Sequence, residues 1–154
     1  GGITAGLWRR TSPRTPRVVT VEPAAAACTL ASLRAGRSVA VAGSLRTRMA
    51  GLACGRLSLP AWEILSRSAA AALAIGDGMA AAVQHDLASG AFGDLPLATG
   101  DTGVAGLAGL VAAASDVSCR EHLGLGSDSR VFVVNSEGPL PAATIGESGP
   151  RPCR

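Results

Sequence analysis

The apolar positions of this chain fall into two periods that take turns along its length. RVVTVE at Arg17–Glu22 is a β-branched run that predicts a buried strand, ended by Pro23. Ala25–Ala35 predicts a helix closed by Gly36 at its C-terminal end. Ser38–Ala42 predicts a second short strand, and 43–47 a loop. Met49–Ala70 carries helical patterning broken near Pro60, where a new helix can start because proline suits a first turn. Ala72–Ile75 predicts a weak strand ending at Gly76-Asp77. Gly78–Ala88 predicts a helix with Met79, Val83 and Leu87 on one face. Gly100–Ala114 predicts a glycine-rich turn running into an Ala/Leu helix, and RVFVVN at Arg130–Asn135 is the clearest strand pattern of all. At the front, Gly1-Gly2 opens a short helical stretch through Trp8, followed by a polar loop over Arg9–Pro16.

Alternation of strand and helix predicts an α/β fold, an open and mostly parallel sheet with helices on both faces. It runs over residues 1–138, and the Pro/Gly-rich stretch 139–154 predicts a loose tail. In such sheets ligands sit at the carboxyl ends of the strands. Glu22-Pro23, Asp77 and Ser136-Glu137-Gly138 are therefore the functional suspects by position. No internal repeat is visible.

Composition narrows the classes. The chain has 154 residues, 47% hydrophobic and 16% charged, which fits one globular domain. Aromatics are only 3% and tyrosine is absent, so the core must be built from Ala, Val, Leu and Gly, which bury little area each. All 14 basic residues are arginine and no lysine occurs. The net charge is +3, and the densest basic cluster, Arg9, Arg10, Arg14 and Arg17, lies in a Pro/Ser/Thr stretch without interleaved aromatics. That reads as a solvated loop and argues against a nucleic-acid surface. The longest gentle apolar run, Val104–Ala114, is shorter than the ~20 residues that span a bilayer, so no membrane partner is expected. No signal peptide is visible, and the expected location is cytoplasmic. The four cysteines, Cys28, Cys54, Cys119 and Cys153, form no CxxC pair and no zinc-ligand spacing, so no metal site is expected. His85 and His122 read as surface or helix-end residues, and Met49 and Trp62 as packing residues.

Four stretches, in order, carry a resemblance. They are VVTVEPAAAACTLASLRAG at 18–36, TRMAGLACGRLSLPAWEIL at 47–65, ATGDTGVAGLAGL at 98–110 and RVFVVNSEG at 130–138. Together they resemble the C-terminal portion of the diaminopropionate ammonia-lyases, within the fold-type II (tryptophan synthase β-like) pyridoxal 5'-phosphate (PLP) enzymes. The second stretch, with its MAGLACG core, is the most specific.

The resemblance implies a partial PLP-binding large domain, a small amino-acid substrate and a homodimeric parent. It also implies roles for four residues. Gly1 and Gly2 match the end of a glycine-rich phosphate loop, where N–H groups at a helix start favour a dianion. Ser136 matches the hydroxyl that hydrogen-bonds the pyridine nitrogen. Asp101 replaces the family's usual glutamate near the ring edge, one methylene shorter; it also reads as a helix N-cap. Cys28 and Cys54 match family cysteines that approach each other, and both a disulfide and two separate buried thiols stay open. No catalytic residue is assigned, because the family's chemistry rests on a lysine that holds the cofactor covalently. Three departures stand out: no lysine, Arg48 at a position where the family prefers an apolar residue, and an unrelated ending after Gly138. The expected function is thus a portion of a PLP-dependent ammonia-lyase, inactive by itself. The alternatives are a non-catalytic α/β domain and a portion of a threonine or serine dehydratase.

Overall fold

The computed structural model describes residues 1–10, 16–93 and 95–139. The predicted tail lies outside these residues but for Pro139, as does most of the loop expected over Arg9–Pro16. In chain order the elements are α1 (Gly2–Arg10), β1 (Val18–Pro23), a 3-10 turn (Ala24–Ala26), α2 (Cys28–Ala35), a second 3-10 turn (Ala50–Leu52), α3 (Leu59–Ser68), β2 (Ala69–Ile75), α4 (Asp77–Ser89), α5 (Asp101–Ser115) and α6 (Val117–Leu123).

β1 and β2 pair in parallel, from Val18 opposite Ala69 to Pro23 opposite Ile75, with an irregularity between Val18 and Val19. Parallel strands need a long crossover, and α2 and α3 supply it. Neighbouring residues on β1 point to opposite faces. Val21 packs on Gly109 of α5, where a Cβ would collide with it. Glu22, one residue on, reaches α2 instead. Helices therefore cover both faces, as the alternation predicts. The core joins Met49, Ile75, Ala80, Val83, Val104, Ala105 and Ala108, all buried. Its small residues let α5 lie close to the sheet, compensating for the scarcity of large apolar side chains.

Several expectations are met. Strand β1 and helices α2, α4 and α5 fall within two or three residues of their sequence-based ranges. Gly36 closes α2 in the left-handed conformation at φ 63°. Pro60 stands in the first turn of α3, capped by Ser58, whose hydroxyl accepts from the Ala61 N–H. Met49 is fully buried, Trp62 half-buried, and His85 and His122 exposed.

Other expectations are corrected. Ser38–Ala42 is not a strand. Its backbone bonds go to a helix side chain and a loop: Val39 N–H donates to Ser32 Oγ, and Val41 N–H to the Gly55 carbonyl. The helical reading of Met49–Ala70 splits, because Ala69 and Ala70 belong to β2, where pairing with β1 overrides alanine's helix preference. On α4 the buried stripe is Ala80 and Val83 with Leu87 packed against it, and Met79 turns outward at 37% exposure. Helix α6 had no sequence-based expectation; Asp116 caps it by accepting from the Cys119 N–H at 2.7 Å. Arg130–Asn135 is not a strand, because no described residue pairs with it.

Candidate functional site

The residues after β2 and the start of α5 converge on one place. The N-termini of α4 and α5 both receive the loop that carries Thr47, Arg48 and Gly51. Asp77, the first residue of α4, accepts from Thr47 Oγ1 and from the Arg48 N–H at 3.0 Å. Thr47 Oγ1 in turn accepts from the Met49 N–H. Gly51 N–H donates to Thr102 Oγ1 at 3.1 Å, and a Cβ at Gly51 would stand 2.9 Å from the Thr102 methyl. Carboxylates at helix N-termini are favoured by the partial positive charge there. The MAGL loop is thereby pinned between two helix starts.

The chain end of the described segment closes the same place. Thr102 N–H donates to Glu137 Oε2 at 2.9 Å, and Gly100 N–H to the Glu137 carbonyl at 3.1 Å. Thr99 Oγ1 lies 2.8 Å from Asn135 Oδ1 and 3.1 Å from the Glu137 carbonyl. Glycine at 100 and 103 is required by this approach: a Cβ at Gly100 would run into the Glu137 carboxylate, and one at Gly103 into Asn135 Oδ1. Between these two anchors Ser136 is exposed, and no hydrogen bond to its hydroxyl occurs among the described residues.

Asp101 stands at the first position of α5, beside Thr102. Its carboxylate is engaged by Arg48, Nε to Oδ1 at 3.3 Å and Nη2 to Oδ2 at 3.5 Å. The expected reading of Asp101 as an N-cap is not what is seen, because Gly100 holds the cap position. An open cleft of about 320 Å³ lies on the other side of Arg48, lined by Gln84, His85 and Thr99 among others. Gly1 sits against Ala61 of α3. Gly2 begins α1, with no acidic residue in the first turn and nothing within 4 Å of where its Cβ would be.

A second polar centre supports the sheet. Glu22 is 8% exposed and its carboxylate accepts from the Thr29 N–H at 2.9 Å and the Leu30 N–H at 3.0 Å. It thus caps α2 from the end of β1. Cys28 donates to the same carboxylate at 3.6 Å. Burial first, then the neighbouring Glu22 charge, push the Cys28 thiol up to about 11. Cys28 and Cys54 are both free thiols, so they are separate, but only Cys28 is buried as expected and Cys54 is exposed.

The donor set suits PLP in part. The open N–H groups at Gly2 suit a phosphate, and the unengaged Ser136 hydroxyl, at the end of an anchored segment, suits a ring nitrogen. A covalent anchor for the cofactor is not among this chain's residues, since it has no lysine.

Such a sheet, with polar anchors at the ends of its strands and starts of its helices, has the architecture of part of a fold-type II PLP enzyme. No sequence-family model matches the chain. Within that class the chain is similar to diaminopropionate ammonia-lyase. It is 34% identical to the enzyme of Escherichia coli K12 over 142 residues, covering 90% of this chain and 35% of that protein. The crystal structure of the Escherichia coli enzyme with an aminoacrylate-PLP azomethine reaction intermediate superposes with a TM-score of 0.68 at 32% identity, covering 82% of this chain and 32% of that one. The T.th. threonine deaminase superposes with a TM-score of 0.63 at 28% identity, covering 75% and 40%. The chain therefore spans about a third of the length of the curated relatives it matches. PLP is the cofactor of that family.

Position along the chain pointed to Asp77, Ser136 and Glu137: Asp77 begins α4, Glu137 is bonded to the start of α5, and Ser136 lies beside Glu137. Thr47, Thr99 and Asn135 went unnoticed. A threonine next to glycine or arginine carries no signal until the helix start that it serves is known.

Proposed function

We propose that this chain is a portion of a PLP-dependent lyase that removes ammonia from 2,3-diaminopropionate, yielding pyruvate after hydrolysis, and that it does not catalyse alone. The observation that carries the reading is the match to diaminopropionate ammonia-lyase along 90% of the chain, coupled to an anchored segment that presents Ser136. Bound PLP supplies the electron sink that makes loss of the α-proton and the leaving amine accessible.

The chain's own residues would hold that group. Backbone N–H groups at Gly1 and Gly2 would take the phosphate. The Ser136 hydroxyl would hydrogen-bond the pyridine nitrogen; a neutral hydroxyl leaves that nitrogen largely unprotonated and moderates the sink, which suits β-elimination. Asp101 would face the ring edge only when its ion pair with Arg48 opens. No residue here is assigned to proton transfer. Residues 1–138 would form part of the large PLP-binding domain, 139–154 a tail, and the whole enzyme would be a cytoplasmic homodimer.

A second reading, a portion of a threonine or serine dehydratase, is favoured by the likeness to threonine deaminase. The test is cofactor retention. The Escherichia coli lyase with its matching third replaced by this chain should keep PLP through gel filtration, while the 154-residue chain releases it. Ser136→Ala in the hybrid should shift the absorption of bound PLP. An unchanged spectrum would remove Ser136 from the ring, and a hybrid that folds without PLP would overturn the reading.

A further inference from the structure

Arg48 stands between two different surroundings. On one side is Asp101, which accepts from Nε at 3.3 Å and from Nη2 at 3.5 Å. A guanidinium carries five N–H groups in a fixed fork. Asp101 uses two of them, and the edge made by Nη1 and the second Nη2 hydrogen has no acceptor among the described residues. The Arg48 side chain stays 52% exposed. On the other side lies the cleft of about 320 Å³, which Arg48 lines and Asp101 does not. That volume is at the lower end of the ~300–1,000 Å³ of small-molecule sites.

Three further polar residues meet in the cleft. Gln84 Nε2 donates to the Thr99 carbonyl at 2.7 Å, which fixes the amide and leaves its Oε1 as an acceptor with no donor among the described residues. Thr99 is 3% exposed, yet its N–H has no acceptor among the described residues. The N–H groups around it are served: Leu97 donates to the Leu87 carbonyl at 3.0 Å and Gly100 to the Glu137 carbonyl at 3.1 Å. A buried backbone N–H without a partner is rare, so an acceptor is expected beside it. His85, exposed on α4, adds a ring N–H whichever form the imidazole takes. Alanine side chains, Ala88 among them, complete the lining, and no Asp or Glu occurs among the described lining residues.

The cleft thus offers donors from Arg48, His85 and Thr99 and one acceptor, Gln84 Oε1. Two N–H groups on one guanidinium edge match the two oxygens of a carboxylate. Asp101 already offsets the Arg48 charge, which favours a monoanion over a phosphate dianion. Gln84 Oε1 calls for a donor on the ligand. An ammonium would stand beside the guanidinium, so a hydroxyl suits better. We infer that the cleft between Arg48 and α4 binds a small hydroxy-monocarboxylate, with its carboxylate on the free edge of Arg48 and its hydroxyl on Gln84 Oε1. The Arg48–Asp101 pair need not open, because it uses the other edge. Solvent screens a half-exposed guanidinium, so the affinity belongs in the millimolar range. The site does not depend on the lyase reading, since neither PLP nor 2,3-diaminopropionate takes part.

The test is an NMR titration of the isotope-labelled 154-residue chain with L-lactate, propionate and inorganic phosphate. L-Lactate should move the Thr99 amide and the Gln84 side-chain amide saturably, and bind several-fold more tightly than propionate, which lacks the hydroxyl. Arg48→Met should weaken L-lactate by about tenfold or more. Ala88→Glu puts a carboxylate in the cleft at an exposed helix position and should weaken it too; it carries the test if Arg48→Met does not fold. No saturable shift of the Thr99 amide, or unchanged affinity in either folded variant, would overturn the site. Propionate binding as tightly as L-lactate would overturn the hydroxyl assignment, and tighter binding of phosphate the carboxylate. If the Escherichia coli lyase carrying this chain in place of its matching third shows no L-lactate shift at Thr99, the cleft is filled by the rest of the enzyme and the small-molecule assignment fails.

Discussion

Replacing Gly103 by alanine sets two effects of opposite sign against each other. In a helix interior alanine is favoured over glycine by about 1 kcal/mol. Against that, the new Cβ would meet Asn135 Oδ1, and the Glu137 carbonyl and Thr99 Oγ1 at 2.6 Å each. Two of these three atoms belong to the anchored segment, one of them its backbone, so relief means lifting 135–137 off α5. Lifting it breaks the Gly100 N–H bond to Glu137, one bond from the Thr99 hydroxyl and the charged bond from Thr102 N–H to Glu137. Two neutral bonds at about 1 kcal/mol and one charged bond at about 1.5–3 give about 3.5–5 kcal/mol lost before water replaces any of them. After the helix gain, Gly103→Ala should destabilise by about 2.5–4 kcal/mol. Gly78→Ala is the control, because nothing lies within 4 Å of its Cβ position; it should stabilise by up to about 1 kcal/mol. Urea unfolding of the three proteins reads both signs. If Gly103→Ala stabilised the chain as Gly78→Ala does, the docking of 135–137 on α5 would be refuted.

Further outcomes follow from the supporting structure. Glu22→Ala strips a buried cap from two N–H groups and should cost about 2–4 kcal/mol in urea unfolding; a loss under about 0.5 kcal/mol would contradict its capping role. Thr20 Oγ1 is buried without a partner among the described residues, so Thr20→Val should stabilise by about 1 kcal/mol, read as a higher denaturation midpoint. Iodoacetamide at pH 8 should modify exposed Cys54 well before Cys28, whose thiol is pushed up to about 11; equal rates in the native protein would contradict the burial of Cys28. Hydrogen bonds from the Cys119 N–H lower the Asp116 carboxyl, so its contribution to α6 is present above the ordinary carboxylate range and fades as pH falls through the lowered value. The protection of α6 amides, measured relative to their intrinsic exchange at each pH, should fall on acidification in the native chain, and Asp116→Asn should flatten that dependence.

What could be read from sequence follows a physical line. Helices with their own punctuation were legible: Gly36 after α2, Pro60 at the start of α3, and the glycine-rich entry to α5 each act within a few residues. β1 was legible because its β-branched run is buried by its neighbours. RVFVVN has the same signature and is no strand, because a strand is defined by its pairing and no described residue hydrogen-bonds its backbone. Ala72–Ile75 was legible as a weak strand but its start was not: the alanines before it prefer a helix, and pairing with β1 draws Ala69 and Ala70 into the sheet. The site shows the same divide. Ser136 and Asp101 could be named from a resemblance, but the pairing of Arg48 with Asp101 across 53 residues has no local signal. Glu22 likewise carries no mark of the helix that it caps.

The claim at the centre is that these residues complete an ammonia-lyase but cannot act as one alone. It is tested most directly by ammonia release from 2,3-diaminopropionate, with threonine and serine in parallel. The two proteins to compare are the 154-residue chain with added PLP and the Escherichia coli lyase carrying this chain in place of its matching third. The account predicts no release from the chain alone and release from the hybrid, fastest with 2,3-diaminopropionate. Ammonia from the lysine-free chain, or a folded, PLP-loaded hybrid that is silent on 2,3-diaminopropionate, would contradict it.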